Sequence, residues 1–214
     1  MKYSYSHIAN LNLWCLITVI SLAVNALTAS GQGTITFDAH ANLSTINYIE
    51  QGVQLSLVMP TPGNHDGMGI SPAITYPWNT PYNSTPYMLF FQQFSPDDYV
   101  NFSLTSGGTF GLASVQLADP NSPSLSPVAI LFKGYKSGGV TVTQTFTTPG
   151  NGATTFQNYM FNSTFSSGLT SVDILATRWA MDNLVVVPEP STLGLLSLGG
   201  LILGWRWRNA GRVK

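Results

Sequence analysis

The chain has 214 residues, room for one ordinary domain plus targeting segments. Charged residues make up only 8% of it, against about 25% in a typical soluble domain. That scarcity excludes a solvated helical bundle and suits a β-rich extracellular protein, with Ser and Thr on strand faces and Gly, Pro and Asn in turns. The net charge of −1 hides a split. Between Gly31 and Val187 the only bases are Lys133, Lys136 and Arg178, whereas Arg206, Arg208, Arg212 and Lys214 crowd the end. An acidic body argues against nucleic acid as a partner, because displacing phosphate counterions needs basic surface. The single cysteine, Cys15, leaves the body without disulfides or thiolate metal sites.

Residues 1–30 read as a secretory signal peptide. Lys2 gives a positive start, Leu11 to Val24 is apolar, and the small residues Ala26, Thr28, Ala29 and Ser30 follow. The apolar run is short for a membrane span, which needs about 20 residues, so cleavage is expected after Ala26 or Ser30. An uncleaved anchor is the alternative.

From Gly31 to Val187 short apolar or alternating runs lie between turn residues. Strands are expected over 34–39, 53–59, 87–94, 100–104, 110–118, 128–135, 140–146, 154–161, 171–177 and 180–187. "VTVTQTF" alternates as a strand with one wet face does, and Gly138-Gly139 marks a hairpin. Many short strands at intervals of about 8–12 residues, without helical periodicity, predict an all-β fold, a single β-sandwich or jelly roll. Six prolines between Pro60 and Pro86 predict one long loop there.

Several residues in the body carry candidate chemistry. Tyr76, Trp78, Tyr82 and Tyr87 crowd the Pro-rich segment, where aromatic rings either stack on sugars or pack the loop down. Asp38 and Asp182 fall near the first and last strands; they either hold a structural calcium, with Asn183 and backbone carbonyls, or cap strand ends. No other cofactor is expected. His65-Asp66 is either a metal or acid–base pair or, as its flanking glycines favour, a turn. Asp97-Asp98 reads as a turn, since adjacent strand residues point to opposite faces and cannot flank a glycosidic bond. Arg178 and Trp179, just before the last strand, suit a core role equally well. No nucleophile elbow, phosphate loop or zinc motif is present, so the body reads as non-enzymatic, with a polysaccharide-degrading enzyme or a ligand-free structural protein as alternatives.

The end of the chain reads as an address. Pro188 and Pro190 hold Glu189 in an extended handle. The following apolar run includes Leu193, Leu196 and Leu201 and has no polar face. Its length alone favours a core helix, but Trp205 stands where an interfacial aromatic belt lies, and Arg206, Arg208 and Arg212 follow as a basic lock. An address made of an extended handle, a membrane helix and a basic end held inside is therefore expected over 188–214.

Val187-Pro188-Glu189-Pro190-Ser191-Thr192, the Leu/Gly run and the arginines together resemble the sorting signal of PEP-CTERM proteins of Gram-negative bacteria. The basic cluster departs from that pattern, being interrupted by Trp207, Asn209, Ala210 and Gly211. The resemblance implies recognition by an exosortase-like membrane protease or transpeptidase, a transient stay in the inner membrane, and release to the cell surface or an exopolysaccharide and biofilm matrix. Within the body, "GGTFGLASVQLAD", "FKGYKSGGVTVTQTF", "GLTSVDI" and "AMDNLVV" resemble the galactose-binding-like jelly roll of such proteins, which implies a carbohydrate-binding role.

Overall fold

The computed structural model describes residues 33–39, 43–64, 67–71, 85–91, 95–120, 126–149, 155–189 and 200. Residues 32–187 form one unit; of the second unit, 1–31 with 188–214, only Pro188, Glu189 and Gly200 are described. The expected signal peptide, membrane helix and basic end lie outside the described residues. Among the described residues no helix is long and apolar enough to cross a membrane.

The body is all-β. Its strands are β1 (Gly33–Ile35), β2 (Leu43–Thr45), β3 (Asn47–Glu50), β4 (Val53–Val58), β5 (Gly67–Ser71), β6 (Tyr87–Phe91) and β7 (Tyr99–Leu104). There follow β8 (Phe110–Ala118), β9 (Val128–Lys136), β10 (Thr141–Thr148), β11 (Gln157–Met160), β12 (Leu169–Leu175) and β13 (Arg178–Pro188). One layer runs β2-β5-β6-β13-β8-β11, with β1 also paired to β13; the other runs β3-β4-β7-β12-β9-β10. The layers join by hydrogen bonding through the pair Leu169↔Phe110. Successive strands pass back and forth between the layers, which is how a jelly roll closes its core.

Alternation builds that core. Val53, Leu55 and Leu57 of β4, Val100 and Phe102 of β7, and Val172 and Ile174 of β12 point inward from one layer. Met68, Ile70, Phe90, Trp179 and Met181 are buried in the other. Phe102 and Phe110 meet edge to face across the two layers, their ring centroids 5.0 Å apart.

Strand β13 changes phase midway. Trp179 and Met181 face inward at odd positions, then Leu184 and Val186 at even ones. Asn183 takes up the extra residue with φ 47°, a left-handed conformation that Asn tolerates. The Asp182 Oδ1 accepts the Asn183 N–H at 2.7 Å, and the Asn183 side chain donates to Gln116 Oε1 at 3.0 Å.

Most expected strands form, and the Gly138-Gly139 hairpin is present with both glycines at positive φ. The single loop expected over 60–86 is not what forms. Its middle contains β5, four of whose five residues are buried and which pairs with β6 along its length. A strand wet on neither face has no polar alternation to betray it, and Gly67 and Gly69 imitate a turn. Strands β2 and β3 are likewise absent from the alternation pattern, being short and largely polar.

Candidate functional site

The outer face of the layer β3-β4-β7-β12-β9-β10 carries a polar row in ladder register: Asn47, Ser56, Asn101, Asp173, Lys133 and Thr143, one residue from each strand. Five strand spacings make this row about 24 Å long. At its centre the Asp173 carboxylate accepts the Asn101 amide on Oδ1 and the Tyr135 hydroxyl on Oδ2, each at 2.7 Å. The Lys133 ammonium lies over the Tyr135 ring, 5.2 Å from its centroid. Its pKa is raised, first by hydrogen bonding to Tyr135 and then by the charges of Tyr135 and Asp173. Tyr99 belongs to the same face; burial pushes its phenol up and Asp173 pushes it further. Toward β3, the Gln54 amide donates to Ser56 Oγ at 2.9 Å and to Asn47 Oδ1 at 3.4 Å.

Asp173 is only 7% exposed although it is on a wet face, because the side chains around it close over it. A carboxylate so placed is satisfied by its hydrogen bonds, and the network holds both donors in fixed orientations. The arrangement offers fixed donors, fixed acceptors and two phenol rings across six strands. It lacks a glycosidase pair: among the described residues of this face Asp173 is the one carboxylate, and both its oxygens are engaged.

The residues singled out from sequence fall elsewhere. Tyr76, Trp78, Tyr82, His65 and Asp66 lie outside the described residues, whereas Tyr87 is buried against Phe156. Asp97 and Asp98 do form a turn, closed by the Asp98 N–H on the Ser95 carbonyl at 3.3 Å. Trp179 is fully buried and stacks on Phe90, and Arg178 forms a two-point ion pair with Asp119, at 2.8 and 3.1 Å. The first and last strands are indeed neighbours, in the register Gly33↔Val186. Asp38 is exposed on the turn after β1, and Asp182, 1% exposed, also accepts the Thr85 hydroxyl at 3.3 Å. Among the described residues no group of three or more His, Cys, Asp or Glu side chains is placed to hold a metal.

The second candidate site is the exit of β13. Val186 is buried at 2% exposure and paired with Gly33, Val187 is half-buried, and Pro188-Glu189 follows without a linker. Residues 186–209 match the PEP-CTERM protein-sorting motif. The tail is a sorting signal. Of the sorting-signal residues named from sequence, Val187, Pro188 and Glu189 are described; Pro190, Leu193, Leu196, Leu201, Trp205, Arg206, Arg208 and Arg212 are not. The PEP-CTERM match begins inside the last strand, so the motif and that strand share Val186, Val187 and Pro188.

No curated protein sequence matches the chain. Among solved structures, a xylan-binding domain from CBM 22 aligns with a TM-score of 0.44 at 11% identity, covering 77% of this chain and 98% of that one. The C-terminal family 22 carbohydrate binding module of Clostridium thermocellum Xyn10B aligns at 0.42 and 12%, covering 75% and 93%. The CBM22-1-CBM22-2 tandem of Paenibacillus barcinonensis Xyn10C aligns at 0.41 and 9%, covering 76% of this chain; this chain spans 46% of that tandem.

Proposed function

We propose that this is an exported, non-enzymatic protein of a Gram-negative cell surface or matrix, delivered by its PEP-CTERM tail, that binds polysaccharide on the face built around Asp173. The tail's partner in this reading is an exosortase-like membrane protease or transpeptidase, and its helix rests briefly in the inner membrane. The observation that carries the binding role is the network joining Asn101, Asp173, Tyr135 and Lys133. Sugar hydroxyls donate and accept at once, and such a network supplies both kinds of partner without reorganising. The rings of Tyr99 and Tyr135 offer apolar surface to sugar C–H faces. A row about 24 Å long suits a chain of sugars better than a single one.

The test is retention of the secreted protein on immobilised polysaccharides, with reducing ends assayed in parallel. Binding without release of reducing ends is expected. The Asp173→Asn variant should bind about tenfold to a hundredfold more weakly, the cost of a charge-assisted hydrogen bond. Release of reducing ends overturns the non-enzymatic reading, and no retention on any glycan overturns the binding role. A structural calcium held by Asp38 and Asp182 is a separate proposal, resting on the pairing of β1 with β13 beside them. It predicts a lower melting temperature in chelator; an unchanged one removes it.

A further inference from the structure

Strand β1 is three residues long, yet it is fastened on two sides. Toward β13 it is paired Gly33↔Val186, Thr34↔Val185 and Ile35↔Leu184. Toward the other layer, the Glu50 carboxylate accepts the backbone N–H of Phe37 at 2.9 Å and of Thr36 at 3.2 Å, while the Tyr48 hydroxyl donates to it at 2.7 Å. The Gln51 amide donates to the Thr34 carbonyl at 3.0 Å. Ile35 and Phe37 are buried, and Phe37 adopts φ 61°, a conformation a phenylalanine keeps only where its surroundings impose it. Glu50 and Gln51 reach β1 because the β3–β4 hairpin turns at Gln51-Gly52, both at positive φ.

The stretch of β13 that β1 grips, Leu184–Val186, stands directly before Val187-Pro188-Glu189. Strand β6 pairs with β13 only over Arg178–Met181, ahead of the Asn183 bulge. We propose that β1 is a strap that must be zipped onto β13 for the sorting signal to be processed, and that Glu50 is the positioning residue that fastens it. The proposal rests on the reading that a membrane enzyme acts on the tail. A protease takes its substrate as an extended strand, and residues released from a ladder must be ordered again at the expense of binding. The pairing also joins the first described strand to the last, so it forms only once the intervening chain has folded. Zipping then couples completion of the fold to presentation of the handle, and an incompletely folded body presents it poorly.

Two full-length variants and their combination, expressed in a host that processes PEP-CTERM tails, test this by pulse-chase with mass analysis of the C-terminus. Glu50→Gln removes the charge that holds the Thr36 and Phe37 N–H groups. Thr34→Cys with Val185→Cys locks β1 to β13. Opposed residues of an antiparallel pair have Cα atoms about 4.5–5.5 Å apart, within disulfide reach. Both positions are half-buried, and Cys15 is the only other cysteine. Processing of Glu50→Gln several-fold slower than the parent, a locked variant processed at the parent's rate, and restored processing when the lock is added to Glu50→Gln are the expected results. A Glu50→Gln chain processed at the parent's rate, or failure of the lock to restore it, overturns the strap. A locked chain processed more slowly than the parent overturns it too, since the enzyme would then need β1 open. A parent that keeps its C-terminus through Lys214 overturns the sorting reading itself, and the strap with it.

Discussion

Glu50 and Tyr48 illustrate how a few polar side chains fix this sparsely charged, acidic body. Burial raises the Tyr48 phenol well above its ordinary range, and the hydrogen bond to Glu50, then the charges of Glu50 and Asp38, raise it further. Such a group contributes stability that is complete below the ordinary phenol value, about 10, and is lost as the pH climbs toward the folded value. Tyr99 and Tyr159 are shifted the same way, both chiefly by burial. Urea titrations at a series of pH values should therefore show stability falling from about pH 10 upward. Tyr48→Phe should cost about 1–3 kcal/mol at neutral pH, because it removes a hydrogen bond to a charged group, and should lessen the alkaline loss. An alkaline slope unchanged by that substitution would show that Tyr48 does not carry the effect.

The strands themselves tolerate little at their closest approaches. A Cβ at Gly111 of β8 would lie 2.0 Å from the Ser166 carbonyl oxygen and 2.4 Å from its carbon, so backbone would have to move. Gly111→Ala should destabilise by about 3 kcal/mol or more, measured by chemical denaturation. Gly108→Ala, whose added atom would meet only ordinary contacts, should stay within about 1 kcal/mol of the parent. Strands with one wet face, such as Thr141–Thr148, were legible from alternation, as was the hairpin at Gly138-Gly139. Strand β5 was not, because burial on both faces erases the alternation that would reveal it. The candidate face was half legible. An acid at Asp173 inside the apolar run "SVDILAT", and Lys133 and Tyr135 two residues apart in "FKGY", mark wet positions. That these meet Asn101 depends on strand order, which a single sequence does not disclose. The ion pair of Arg178 with Asp119 was hidden for the same reason.

The body says less about destination than the tail does. Its charge is sparse, its core is built from both layers, and its polar row is joined by side-chain hydrogen bonds around Asp173. The tail supplies the address, and its opening is shared with the last strand. In a host that processes such tails, mass spectrometry of the mature protein should find the C-terminus near Pro188-Glu189-Pro190 rather than at Lys214. Recovery of the C-terminus through Lys214 from the medium would refute processing there.

The pairing of Gly33 with Val186 has one further meaning. Traced through its ladders, the body sets its first described strand, Gly33–Ile35, directly against the end of its last. Damage to residues 33–35 is therefore also damage to the backbone partner of residues 184–186, although nearly the whole length of the body separates the two along the chain.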